Sequence, residues 1–238
     1  LRIRAKAAHM SGSLKDQKTR NWDEITLKGM LEQIAGEHKL KPLVSASLAM
    51  IYYDHLDQTD ESDMNFLTRQ AQELDAFVTV KGEHLMMLNK GEGRTADGTP
   101  MPPVSVHKVG KLNWAATFAT RDEFKSVEAT WINTASGKEE TITAGEGKPV
   151  KKLRHSYSTQ DAAQRAAQGK LAELERGNHS FRVDMPGNPL IAAEGQILAT
   201  GFRDGVNGLW SIKSVKHSIA ARGFSTSVQA EKPKPEVA

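Results

Sequence analysis

Residues 209–230, LWSIKSVKHSIAARGFSTSVQA, read as two long strands folded back on each other at Arg222-Gly223, and that reading sets the class of the fold. In the first of these strands Trp210 and Ile212 share one face, while Val215, His217 and Ile219 fall in the opposite register. One extra residue near Lys213 to Ser214 restores the phase, and such a bulge bends a strand and helps to curl a sheet. His217 lies between Val215 and Ile219 in this bulged strand. With no nucleophile near it in sequence, it reads as a hydrogen-bonded sheet histidine rather than a catalytic one.

The pattern continues toward the N terminus. HSFRVDMPG (179–187), the turn GNP and ILATGF (197–202) supply further strands, and Asp204-Gly205 marks a turn. Before them, NWAATFA (113–119), SVEATWIN (126–133), the turn TASGK and EETIT (139–143) follow antiparallel hairpin grammar, with Val127, Ala129 and Trp131 on one face. A single helix interrupts the strands, from about 159 to 176, with Ser158 and Asp161 spaced as a capping pair and Gly177 as a stop. Its inward stripe, Ala162, Ala163, Ala166, Leu171 and Leu174, is mostly small, which lets a helix lie close to a sheet.

Residues 89–103, NKGEGRTADGTPMPP, carry Gly or Pro at six positions and no periodic apolar face, so they form a linker and the domain boundary. Upstream, TLKGMLEQIAGEHK (26–39) places Leu27, Met30, Leu31 and Ile34 at helical spacing behind Thr26 as N-cap. After the turn-like KLKP, the acidic run DHLDQTDESD (54–63) suits the positive end of a helix that starts near Asp60, whose inward face is Met64, Leu67, Ala71 and Leu74. AFVTV and EHLMML flank Lys81-Gly82 as a hairpin, in which Met86 and Met87 fill gaps in the core. Residues 21–90 are thus a helix-helix-hairpin unit. LRIRAKAA (1–8) alternates like a half-buried strand that pairs with something outside itself, and EKPKPEVA (231–238) lies outside the core.

Composition narrows the function. No run approaches the roughly 18 to 20 apolar residues of a membrane span, and the start lacks the apolar centre of a signal peptide. The absence of cysteine removes disulfides, thiolate metal sites and cysteine nucleophiles together. The net charge of +3 comes from residues 1–20, where six basic groups face Asp16 alone; the body is slightly acidic and lacks the basic stripe with stacking aromatics that nucleic-acid binding needs.

A search for chemistry returns no catalytic, cofactor-binding or metal-binding residues. There is no G-x-S-x-G, H-E-x-x-H, Walker loop or strand-anchored G-x-G-x-x-G, and GEGRTADG sits in the linker without a strand before it. The densest polar cluster, Asp54, His55, Asp57, Asp60, Glu61 and Asp63, misses EF-hand spacing and its glycine, and serves as capping acids. His9, His38, His55, His84, His107, His155, His179 and His217 show no i, i+4 pair. Trp22, Trp114, Trp131 and Trp210 each sit where a core side chain belongs rather than forming a sugar-stacking platform.

Two stretches carry a resemblance. NWDE with TLKGMLEQIAGEHKL and DHLDQTDESDMNFLTRQAQELDAFVTVKGEHLMML, then GNPLIAAEGQILATGFRDGVNGLWSIKSVKHSIAARGFSTSVQ with its G-x-W-x-I-x-x-V-x-H strand, resemble the phage late control D hub family over residues 20 to 231. The resemblance implies a structural subunit of a contractile tail or tailocin baseplate, similar also to the base of VgrG spikes in type VI secretion. It implies no catalysis and no cofactor, and a homotrimer that adapts a sixfold tail tube to a trimeric spike. Tail tube and spike proteins are the implied partners, without nucleic acid or membrane, in a virion tail whose parts are made in the host cytoplasm.

The expected fold is α+β: a small helix-helix-hairpin domain followed by a tube-like antiparallel β-barrel with one packed α-helix. Residues 1–20 are read as the last strand and loop of a preceding barrel, 21–90 as the small domain, 91–103 as linker, 104–231 as the barrel and 232–238 as a flexible tail. Two rival functions have definite tests. A cell-wall glycan-binding module, suggested by a loose LysM-like order in residues 21–90, would bind peptidoglycan fragments. A wall hydrolase would need a carboxylate couple such as Asp54 with Glu61.

Overall fold

A computed structural model describes residues 13–95, 98–118, 124–221 and 223–233. The strand expected at 1–8 lies outside the described residues, as do residues 234–238 of the expected tail. The chain forms two compact units, Leu1–Lys90 with Thr95–Thr99, and Gly91–Arg94 with Pro100–Ala238.

The first unit contains, in order, β1 (Gln17–Thr26), α1 (Leu27–Glu37), β2 (Lys41–Val44), a one-turn α2 (Ala46–Ala49), β3 (Tyr52–Ser62), α3 (Asp63–Glu73), β4 (Ala76–Lys81) and β5 (His84–Asn89). α1 starts where its cap requires, with the Thr26 hydroxyl accepting from Gly29 N–H. Its face of Leu27, Met30, Leu31 and Ile34 is fully buried, together with Phe66 and Leu67 of α3 and Leu85 and Met87 of β5. The β4–β5 turn has Gly82 and Glu83 both at positive φ, 54° and 64°, the pair of left-handed residues that a tight hairpin needs.

Three expectations change in this unit. The acidic run belongs to β3, which pairs antiparallel with β1, and the second helix begins at Asp63 with Ser62 as its cap rather than near Asp60. Residues 17–20 are the first part of β1 instead of a loop. The second half of the turn-like KLKP, Lys41 and Pro42, is already part of β2, which pairs parallel with β5. The reason is the same for both long strands: β1 and β3 form a two-stranded ribbon with much of its surface in water, so neither shows the apolar alternation that marks a half-buried strand.

The second unit holds β6 (Val104–His107), β7 (Asn113–Phe118), β8 (Ser126–Asn133), β9 (Lys138–Gly145), β10 (Val150–Tyr157), α4 (Gln160–Gly177), β11 (His179–Pro186), β12 (Gln196–Thr200), β13 (Gly208–Ala220) and β14 (Gly223–Glu231). Its α+β character, mostly strand, agrees with expectation. The architecture differs in detail. The strands divide into a six-stranded sheet, β6-β12-β13-β14-β11-β7, and a separate three-stranded sheet, β10-β8-β9, and no pairing among the described residues closes either into a barrel. Two pairings, β12 with β6 and β10 with β8, are parallel, so the sheets are not purely antiparallel. α4 packs on the three-stranded sheet rather than on a barrel, because its Ala163 and Ala167 meet Val127, Ala129 and Ala144 there.

The cap of α4 is Thr159, whose hydroxyl accepts from Ala162 N–H, not Ser158, and Gly177 is its last residue rather than the stop beyond it. Gly145 closes β9 at φ 78°, where a β-carbon would come within 2.5 Å of the Lys125 carbonyl, so glycine is required for this close approach. In β13 the register steps between Ile212 and Ser214, leaving Lys213 as the extra residue of the bulge. Trp210, Phe181, Val183, Ile197 and Val228 form the core under the six-stranded sheet.

Candidate assembly surfaces

A dense polar constellation is built around Asp63, whose side chain is fully buried at the start of α3. Lys18 Nζ donates to Asp63 Oδ2 at 2.7 Å and to Glu37 Oε2 at 2.8 Å. Arg20 uses one nitrogen on Asp63 Oδ1 at 2.7 Å, another on Glu37 Oε1 at 2.6 Å and its Nε on Gln58 Oε1 at 3.0 Å. The Gln58 amide nitrogen donates to Asp63 Oδ1 and to the Glu61 carbonyl, and Trp22 Nε1 donates to Gln58 Oε1. His38 Nε2 lies 2.7 Å from Asp63 Oδ2. The Arg20 guanidinium sits 4.3 Å over the Trp22 ring, which stacks on Phe66.

Glu37, His38 and Asp63 could in principle hold a cation, since their ligand atoms lie within 4.8 Å of one another. The two carboxylates, however, already face the two cations Lys18 and Arg20, so charge is balanced without an ion. What the constellation does is mechanical: it locks β1, α1, β3 and α3 together through one buried carboxylate.

Burial, the largest influence, pushes the Asp63 carboxyl up, yet hydrogen bonds from Gln58, Lys18 and His38 and the charge of Arg20 hold it below its ordinary value. Glu37 is likewise raised by burial and brought lower overall by Lys18 and Arg20. Folded-state values below the unfolded ones mean stability that is present above the ordinary carboxylate range and lost as pH falls through the folded values. The melting temperature of the first unit is therefore expected to fall as pH is lowered from about 5 toward 2. Calorimetry across that range checks it, and a melting point that stayed flat would show that these carboxylates do not hold the unit.

The acids singled out in sequence do not converge on a reaction centre. His55 lies between Asp23 and Asp57 on the open ribbon, and the Asp23 hydrogen bond raises its pKa above the ordinary value. Asp60 bonds Thr19, and Glu61 pairs with Arg69 at 2.9 Å. Asp54 is exposed on β3 and takes part in none of these pairs. Asp63, last of the run, is the one member drawn into the core, and nothing in the sequence marks its partners Lys18, Arg20 and Glu37 as site residues.

His217 makes two contacts across its strand, Nδ1 to Thr226 Oγ1 at 2.9 Å and Nε2 to the Ile191 carbonyl at 3.0 Å. Trp22 and Trp210 are buried, and Trp114 and Trp131 pack partly buried against the cores of the second unit, so the four rings offer no open stacking platform. A shallow cavity of about 380 Å³ opens on the six-stranded sheet, lined by Thr117, Ser180, Arg182, Lys213, Gln229 and Glu231 among others. The Glu231 carboxylate in it is already engaged, by Arg176 at 3.2 Å and by Lys213 at 3.7 Å.

Open strand edges among the described residues are further surfaces with binding capacity. The six-stranded sheet ends in β6 and β7, the three-stranded sheet in β9 and β10, and β3 has β1 as its single strand partner. Beyond Ser211, β13 loses β12, and after the Glu194–Gly195 backbone bonds to Ile212 no backbone bond among the described residues covers that side of Lys213–Ala220. An uncovered edge is a template for pairing with another chain.

Comparison with known proteins bears on these surfaces. The model of a family described as phage tail baseplate hub (GPD) matches residues 1–223. A "Probable baseplate hub protein" of Escherichia phage P2 is 29% identical over 96% of this chain and 70% of that protein. Among solved structures, a tail protein from Neisseria meningitidis MC58 aligns with a TM-score of 0.67 at 12% identity, covering 94% of this chain and 72% of that one. A component of the type VI secretion system of E. coli, itself structurally similar to bacteriophage T4 tail proteins, aligns with a TM-score of 0.56 at 14% identity, covering 92% and 52%. At those identities the two structures speak for the fold alone.

Proposed function

Because the chain belongs to the phage tail baseplate hub family, we propose that it works as one subunit of a threefold hub that joins a sixfold tail tube to a trimeric spike. The family match over residues 1–223 carries this reading. Its partners are two further copies of itself, the tube and the spike, and its place is the baseplate of a virion tail after synthesis in the host cytoplasm. No bond is made or broken by it. The polar clusters described above support a mechanical role, since they are ion-paired knots within the fold rather than carboxylates held ready for proton transfer.

In this reading residues 104–231 are the part that forms the tube, the first unit, from Gln17 of β1 to Asn89 of β5, is a smaller domain, and 91–103 are the connection. Uncovered edges and sheet faces supply the contacts, and a permanent hub must bury well over ~1,000 Å² at each interface. Light scattering on the chain, and on a version extended at its N terminus, tests the assembly. Three copies of the extended protein are expected, and a monomer at every concentration would contradict the threefold hub.

A further inference from the structure

We infer that the open edge of β13 in one copy pairs antiparallel with β3 of a neighbouring copy. This rests on the hub reading and names the contact that would hold neighbours together. Among the described residues β13 is uncovered on one side from Lys213 to Ala220, and β3 has a strand on one side only. Arg69 already donates to the Asp57 carbonyl, so the backbone available on β3 is the part before Asp57.

The two edges are complementary in both charge and apolar content. β13 carries Lys213, which lies 3.7 Å from Glu231, and the exposed Lys216, with no acid between Gly208 and Ala220, and near its end Ile219 is 85% exposed. β3 and the residues before it run the other way in character, from the exposed Met50, ahead of the strand, and Tyr52 into the exposed Asp54 and then Asp57, which is well exposed and 3.1 Å from His55. The spacing matches as well. Asp54 and Asp57 are three positions apart, as are Lys213 and Lys216, and Ile51 precedes Asp54 by the same interval at which Ile219 follows Lys216. An antiparallel register that sets Asp54 opposite Lys216 therefore sets Asp57 opposite Lys213 and brings Ile219 beside Ile51 and its exposed neighbours.

Charges on an edge strand ordinarily keep it from pairing. Here they do so selectively: two β3 edges repel, two β13 edges repel, and the unlike pair attracts. Such a contact is heterologous, using different surfaces on the two copies, and contacts of this kind make a ring when the rotation between neighbours closes, as a threefold hub requires. The strand β10 offers another basic pair at the same interval, Lys151 and Arg154, but Tyr157 at the matching apolar position is packed against the core beneath α4. It serves as the control.

The chain has no cysteine, so introduced ones report cleanly. Chains bearing Asp54→Cys are mixed with chains bearing Lys216→Cys in the assembled N-terminally extended protein and oxidised. The expected result is a two-chain disulfide product at least about tenfold above that from Asp54→Cys with Arg154→Cys. In a second arm, Lys216→Glu weakens association by about tenfold or more, and Asp54→Lys in the same chain restores it. An assembled protein in which the disulfide product of Asp54→Cys with Lys216→Cys does not exceed the control overturns the pairing while the hub reading stands. A protein that never assembles removes both.

Discussion

Asp63→Ala is expected to lower the stability of the first unit by about 3–5 kcal/mol, the cost of removing one partner from a buried, hydrogen-bonded ion cluster. The carboxylate is fully buried and receives Lys18, Arg20 and Gln58 at 2.7, 2.7 and 2.9 Å. Without it two cations are left with Glu37 alone, and the Gln58 amide loses an acceptor inside the fold. Because four elements meet there, the loss should appear as a separate low-temperature transition of the first unit while the second melts unchanged. The acid dependence of that first transition should shrink in the same variant to the part that Glu37 contributes, since Asp63 no longer titrates. A single unshifted transition would show that the cluster is ornamental to stability.

Trp210→Ala should cost the second unit about 3–5 kcal/mol, as large aromatic truncations in closed cores do. Trp210 is fully buried, touches the Phe181 and Phe118 rings at 5.3 and 6.3 Å between centroids, and its Nε1 donates to the Val206 carbonyl at 2.7 Å. The truncation removes ring contacts and leaves that carbonyl without its donor in the interior. Denaturant unfolding followed by near-ultraviolet circular dichroism reads the effect. A midpoint within experimental error of the parent chain would mean that the core is organised around other residues.

These two sites differ in how far the sequence discloses them. Trp210 is legible because β13 alternates cleanly up to its bulge, and a phase slip at Lys213 is visible in the order of apolar residues alone. α1 is equally plain, since Thr26 caps a run whose apolar spacing has no strand alternative. The Asp63 cluster is not legible, because Lys18 and Arg20 come from a strand more than forty positions away and an acid at a helix start reads as ordinary capping. The ribbon of β1 and β3 is hidden for a related reason: a strand wetted on much of its surface leaves no period-2 signal. Nor does alternation fix partnership. The strands of the second unit are individually readable, but their division between two sheets, and the parallel pairings of β6 with β12 and β8 with β10, depend on contacts that pattern does not encode.

The most direct test of the structural role is an electron cryomicroscopy reconstruction of tail particles that contain this chain, with its position identified in the density. The hub account predicts three copies in a ring at the end of the tail tube, between the sixfold tube and the spike. Density for the chain anywhere else in the particle, or a copy number that is not a multiple of three, would contradict it.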